Sequence, residues 1–266
     1  SLKFGSPYHP MTQTEVDLSN LRRHRLEYSR LCFAGLLYKS VPKRVLVVGM
    51  GGGVVPREMH HYYPQAKVDV VEIDPAIPPI AKRFFAFPTH SNVRVHVDDG
   101  RKFIEEQDAA EDAKLYDIIV LDAYGSEGVP FALLTKEFLA HVRGILAPDG
   151  AVVANLIRTH RYFRSELKTY IRVFGRYQAY VGTESTNVIV VAPGSAAPVL
   201  GTEEARRRAR RVKENQGLAF DLLQVANRLR TDVKPGRDAV VLTDAMRSSG
   251  SDTKSGEESA AAPTEK

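Results

Sequence analysis

The 266-residue sequence has no tryptophan and a single cysteine, Cys32, so no disulfide can form within it, which fits a reducing compartment. Cys32 sits in the apolar stretch Leu31-Cys32-Phe33-Ala34 and reads as a packed core thiol rather than a nucleophile. No apolar run approaches the roughly 18 to 20 residues that a bilayer span needs, and no leader pattern opens the sequence. The expected location is therefore the cytoplasm, away from membranes. Metal chemistry is not expected either: His60 and His61 are neighbours in a helical stretch and must diverge, and no Cys/His cluster exists. Without a G-x-S-x-G elbow, a serine hydrolase has little support.

What is present is a core-forming composition, 43% hydrophobic, with a formal net charge of +5 that mildly favours acidic partners. Four segments are expected: a lead segment and helix over 1–40, a nucleotide-binding catalytic domain over 41–194, a helical extension over 195–245 and a disordered tail over 246–266. The first helix should run from Leu18 to Tyr38, with the cluster Arg22-Arg23-His24-Arg25 on a solvated face. From Lys43 onward, strands at 44–48, 68–73, 93–97, 116–121, 151–156, 177–182 and 187–192 enclose amphipathic stretches near 54–63, 76–86, 100–107, 131–146 and 161–174. A charged helix should follow over Thr202–Arg230, its arginines solvated.

Five strands alternating with helices argue for parallel pairing through right-handed crossovers. The last two are separated only by Thr183-Glu184-Ser185-Thr186, too short for a crossover, so they should form an antiparallel hairpin. The expected fold is α/β, Rossmann-like and of the class I methyltransferase type. It has a mostly parallel seven-stranded sheet, a C-terminal antiparallel hairpin and helices on both faces.

In such sheets ligands bind beyond the carboxyl ends of the strands, where the strand order reverses. The first strand runs into Gly49, Gly51, Gly52 and Gly53, a turn that lets backbone N–H groups approach a ligand. The second ends in Glu72, suited to accept from both ribose hydroxyls, with Ile73 as an apolar wall for a base. The third ends in Asp98-Asp99-Gly100, where a carboxylate can accept from an adenine amino group and a backbone N–H can donate to the ring. The fourth ends in Leu121-Asp122-Ala123-Tyr124, an acid and an aromatic at the reacting end. Each signal alone has a plain structural reading: a tight turn, a helix cap, a packed tyrosine.

The block from Lys43 to Leu156 resembles the spermidine synthase superfamily in its ordered phrases KRVLVVGMGGGV, VEID, DDG and LDAYGSEGVP. Thr135-Lys136-Glu137-Phe138, Ala147-Pro148-Asp149-Gly150-Ala151 and the closing Leu242-Thr243-Asp244 extend the likeness. The resemblance implies that Glu72 holds the ribose and Asp99 the adenine of an S-adenosyl sulfonium nucleotide. It implies further that Asp122 corresponds to the aspartate that prepares an attacking amine; Tyr124, two residues on, either lines the acceptor channel or packs, packing being the favoured reading. A homodimer is also implied, although the lead segment is shorter than the β-rich amino-terminal domain of typical members.

Departures from the pattern point to a branch within it. Gly52 stands where the superfamily has an aspartate that grips the aminopropyl end of decarboxylated S-adenosylmethionine, and Gly125 replaces a second aspartate after the fourth strand. The Tyr-Gln pair near the substrate entrance reads Tyr28-Ser29. A cationic amine needs carboxylates around it, since an unpaired charge in a closed pocket costs several kcal/mol. The phrases VDVVEIDPA, NVRVHVDDGRKF and KPGRDAVVLTDAM are similar to bacterial spermidine-synthase-like proteins and to the methyltransferase domain of eEF1A-methylating enzymes. The leading expectation is methyl transfer from S-adenosylmethionine to an amine of a protein or small molecule. Aminopropyl transfer from the decarboxylated nucleotide and a non-catalytic nucleoside-binding relative stand as alternatives.

Overall fold

Alternation along the central strand dictates the layering. In β3 (Arg44–Val48), Val45 and Val47 belong to one buried cluster and Leu46 and Val48 to the other, so both faces of the strand require cover. The computed structural model describes residues 1–4, 11–21, 23–124 and 128–246. The same split recurs in β4 (Lys67–Glu72), β6 (Tyr116–Leu121), β7 (Leu146–Ile157) and β9 (Asn187–Pro193).

One face packs against α1 (Glu27–Leu31), a 3-10 turn over Cys32–Leu37, α2 (Val54–Tyr62), α3 (Ile77–Phe84), α7 (Thr202–Gln216) and α8 (Leu222–Ala226). The opposite face packs against α4 (Gly100–Ala109), α5 (Lys136–Gly144) and α6 (Phe163–Phe174). With β5 (Val93–Val97), β8 (Gln178–Val181) and β10 (Leu229–Arg230), the sheet order is β10-β8-β9-β7-β6-β3-β4-β5. Pairings among β3 to β7 are parallel, whereas β9 is antiparallel to both β7 and β8. This is the expected class I methyltransferase arrangement, with all seven strands and the final hairpin in place.

The sheet nevertheless has eight strands rather than seven. The two-residue β10 pairs Leu229 with Tyr180 and Arg230 with Ala179, a segment too short to carry an alternation signal. A separate two-stranded sheet joins β1 (Leu2–Phe4) and β2 (Met11–Thr14) in the lead segment.

Three helical expectations change. The helix placed over Leu18–Tyr38 begins only at Glu27 and tightens into the 3-10 turn at Cys32. Upstream, Asp17 accepts from Ser19 N–H at 3.0 Å and Val16 bridges to His24, so local turn chemistry prevails over helical periodicity. Thr202–Arg230 is broken after Gln216 by Gly217, whose φ of +60° closes the helix in the left-handed region. In 131–146, a 3-10 turn over Phe131–Leu133 precedes α5, which Thr135 caps by accepting from Phe138 N–H. The α7 arginines behave as a solvated face: Arg206 pairs with Glu203, Arg207 and Arg208 with Glu204, while Ala205, Ala209 and Val212 dock. Arg22 and the tail from 247 onward lie outside the described residues.

His24 is not on a solvated face. It is 8% exposed, wedged between Phe33 and Phe220, with Nδ1 2.9 Å from Ser29 Oγ. Burial, reinforced by the charges of Arg30 and Arg57, holds its imidazole down at about 3. The unfolded chain binds a proton near pH 6.5 that the folded chain refuses, so this contribution to stability is complete above that pH and is lost as pH falls toward 3. Urea unfolding at pH 7 and pH 5 is expected to show wild type losing about 2 kcal/mol more than His24→Asn. Equal losses would mean that His24 does not titrate in this way.

Candidate functional site

The chain runs outward from β3 to β4 and β5 on one side and returns to build β6 and β7 on the other, so the carboxyl ends of β3 and β6 flank the switch point. Gly49 follows β3 with φ +92°, and a Cβ there would lie 2.3 Å from the Asp122 carbonyl oxygen, a separation no side chain tolerates. This close approach brings Asp122 beside the glycine turn; Asp122 N–H donates to Val48 O at 2.8 Å.

A cavity of about 430 Å³ opens above these ends. Of the residues singled out from the sequence, Gly49, Gly51, Glu72, Ile73, Asp99, Gly100, Asp122 and Tyr124 line it. Gly52 and Gly53 do not reach its wall. Their amides are committed within the protein, Gly52 N–H donating to Thr14 Oγ1 at 2.9 Å and Gly53 N–H to Met50 O at 2.8 Å. Nothing local marked this, because Thr14 arrives from β2, far away in sequence.

Glu72 is held at both oxygens, Oε2 accepting from Met50 N–H at 2.9 Å and Oε1 from Asp74 N–H at 3.0 Å. Ile73, at the same strand tip, is 68% exposed. Asp99 is both a helix cap and a cavity wall. Its Oδ1 accepts from Arg101 and Lys102 N–H at 2.7 and 3.2 Å, and Oδ2 has no partner among the described residues.

Asp122 lines the cavity and is held by Asn155. Burial pushes its carboxyl up to about 7, against the opposing pull of the Asn155 amide, which donates to Oδ1 at 2.8 Å. Asn155 Oδ1 in turn accepts from Asn187 Nδ2 at 2.8 Å, so β7 and β9 together fix the carboxyl plane. Tyr124 donates its hydroxyl to the Asn155 carbonyl, and burial, then the Asp122 charge, hold its phenol far above the ordinary range.

A second cavity of about 290 Å³ meets the first at Tyr28 and Tyr124. Its acidic wall residues are already neutralised. Glu27 accepts from Thr183 and Glu184 N–H and pairs with Arg228 at 3.6 Å, and Glu184 pairs with Arg30 at 3.2 Å. Asp244 of the closing Leu-Thr-Asp is gripped by both terminal nitrogens of Arg101, which also donates to Ala132 O. The motif thus ties the 242–244 segment to the loop that borders the first cavity. Gly125 lies outside the described residues.

Asn155, Asn187 and Thr14 were absent from the sequence-based site. A polar residue inside the apolar run Val152-Val153-Ala154-Asn155-Leu156-Ile157 was a usable signal for the first; the other two had none. Among the described residues no group of three His, Cys, Asp or Glu is placed to hold a metal, and no helix is long and apolar enough to cross a membrane.

A carboxylate-tipped cavity over the switch point of this sheet defines a class I methyltransferase-type fold. The spermine/spermidine synthase domain family matches residues 27–197, and the chain belongs to that family, within the spermidine synthase superfamily. A polyamine aminopropyltransferase of Vibrio vulnificus is 37% identical over 178 residues, 66% of this chain and 59% of that protein. The human eEF1A lysine and N-terminal methyltransferase is 32% identical over 145 residues, 49% of this chain and 21% of that protein. The chain therefore spans about three fifths and one fifth of these relatives. The crystal structure of human methyltransferase-like protein 13 in complex with SAH superposes with a TM-score of 0.67 at 27% identity, covering 72% of this chain and 93% of that one.

Proposed function

We propose that the protein transfers a methyl group from S-adenosylmethionine to an amine. The observation that carries this reading is the filled space at Gly52: a Cβ there would lie 2.4 Å from Thr14 Cγ2 and 2.9 Å from Phe85 Cδ1. A carboxylate to grip a cationic aminopropyl group has no room in the glycine turn, whereas an α-carboxylate is compatible with a turn free of negative charge. Glu72 would hold the ribose, Asp99 Oδ2 the adenine amino group, and Ile73 would lose its solvent exposure against the base.

The sulfonium is already activated, so the protein's task is alignment and delivery of a neutral nucleophile. The amine enters through the second cavity between Tyr28 and Tyr124. Its proton passes to Asp122, its lone pair attacks the methyl carbon, and the carbon–sulfur pair returns to sulfur, releasing S-adenosylhomocysteine. A carboxyl raised to about 7 is a better match for an amine of ordinary pKa near 10.4 than an unperturbed aspartate would be. With Glu27 and Glu184 neutralised, the second cavity suits an acceptor with one ammonium at Asp122 better than a polycation.

The test is product mass after incubation with S-adenosylmethionine or its decarboxylated form and a panel of amines, including lysine peptides. A methylated product supports the proposal, and an aminopropyl adduct alone overturns it. The aminopropyl reading is favoured by the 37% identity to the Vibrio vulnificus protein. A second test is Gly52→Asp. It is expected to lower the thermal midpoint by several degrees, because Thr14 and Phe85 must move, and not to create a preference for the decarboxylated nucleotide. A stable variant with reversed preference would remove the steric basis of the proposal.

A further inference from the structure

We infer that Thr14 is a specificity-determining residue that reads the α-carboxylate of the nucleotide's amino-acid tail. This inference rests on the donor assignment above. Thr14 ends β2 and is 4% exposed, yet its side chain forms part of the first cavity's wall beside Gly51. Its Oγ1 accepts from Gly52 N–H at 2.9 Å and lies 3.0 Å from where a Cβ on Gly51 would sit, so the hydroxyl spans the turn.

That bond leaves the hydroxyl with one proton and one lone pair. Accepting from Gly52 uses a lone pair and leaves the O–H proton, which has no acceptor among the described residues, free to donate toward the cavity. A buried O–H at the tail end of a nucleotide site has its proton matched by a carboxylate, whereas an ammonium can use only the one remaining lone pair and leaves that proton without an acceptor. The Gly51 N–H, which has no partner among the described residues, lies on the same wall. Thr14 therefore acts twice: its methyl fills the space over Gly52, and its hydroxyl presents a donor to a carboxylate.

The decisive comparison is between ligands with and without the tail. Titration calorimetry on the full chain would measure S-adenosylhomocysteine and 5′-methylthioadenosine against wild type, Thr14→Val and Thr14→Ser. Thr14→Val keeps the shape and removes both the donor and the acceptor of Gly52 N–H, so the lost turn bond acts on both ligands while S-adenosylhomocysteine is expected to weaken about tenfold or more beyond any change in 5′-methylthioadenosine. Thr14→Ser keeps the donor and should retain most of the selectivity. Equal weakening of both ligands by Thr14→Val, or no effect on either, would overturn the inference and reduce Thr14 to a packing residue. A wild-type chain that binds the decarboxylated nucleotide more tightly than S-adenosylhomocysteine would instead overturn the donor assignment, whatever the variants do.

Discussion

Asp122→Asn is expected to slow transfer by about 10² to 10⁴-fold while leaving nucleotide affinity within a few-fold of wild type. The asparagine is nearly isosteric and can still accept from Asn155 Nδ2 through its side-chain oxygen, so the site should keep its shape. What disappears is the proton acceptor. Wild-type kcat/KM should rise with pH through about 7 as the buried carboxyl ionises, because only the carboxylate can take the amine's proton. The variant should lose that limb, and any remaining rise would follow the acceptor's own ionisation. A variant that is fast and retains the limb near pH 7 would exclude Asp122 as the base. Asn155→Asp would place a second acid against Asp122 and shift the limb upward, a check on assignment through geometry rather than activity alone.

Glu72→Gln is expected to weaken S-adenosylhomocysteine binding by about 100-fold or more without unfolding the chain. Each Glu72 oxygen already accepts one backbone N–H, from Met50 and from Asp74, which leaves each a further lone pair at the wall of the cavity. A glutamine has one acceptor oxygen and must turn its amide nitrogen toward Met50 N–H or Asp74 N–H, losing one bond and setting two donors against each other. Calorimetry measures the loss, and a circular dichroism melt separates it from misfolding. A change under threefold would place the ribose elsewhere and with it the whole orientation of the nucleotide.

The three acids were legible for two different reasons. Glu72 and Asp122 each end an apolar run with period and composition that mark a buried strand, so their placement at the carboxyl ends of the strands follows from local pattern plus the rule for parallel crossovers. Asp99 was legible as a helix cap from the Asp-Gly pair that opens α4, and it caps through Oδ1 while lining the first cavity. Thr14 and Asn187 were illegible because their importance lies in what they touch, and those contacts span 38 and 32 residues.

Sequence by itself determined the layering of this protein, the parallel order of its strands and the acids at their tips. Those depend on hydrophobic periodicity and on crossover handedness, which act within one or two elements. Only the tertiary structure decided that β2 lies over the glycine turn, that Asn155 and Asn187 fix Asp122, and that the carboxylates of the second cavity are neutralised. Burial and long-range hydrogen bonds set a side chain's charge and orientation, and neither exists until distant segments of the chain meet.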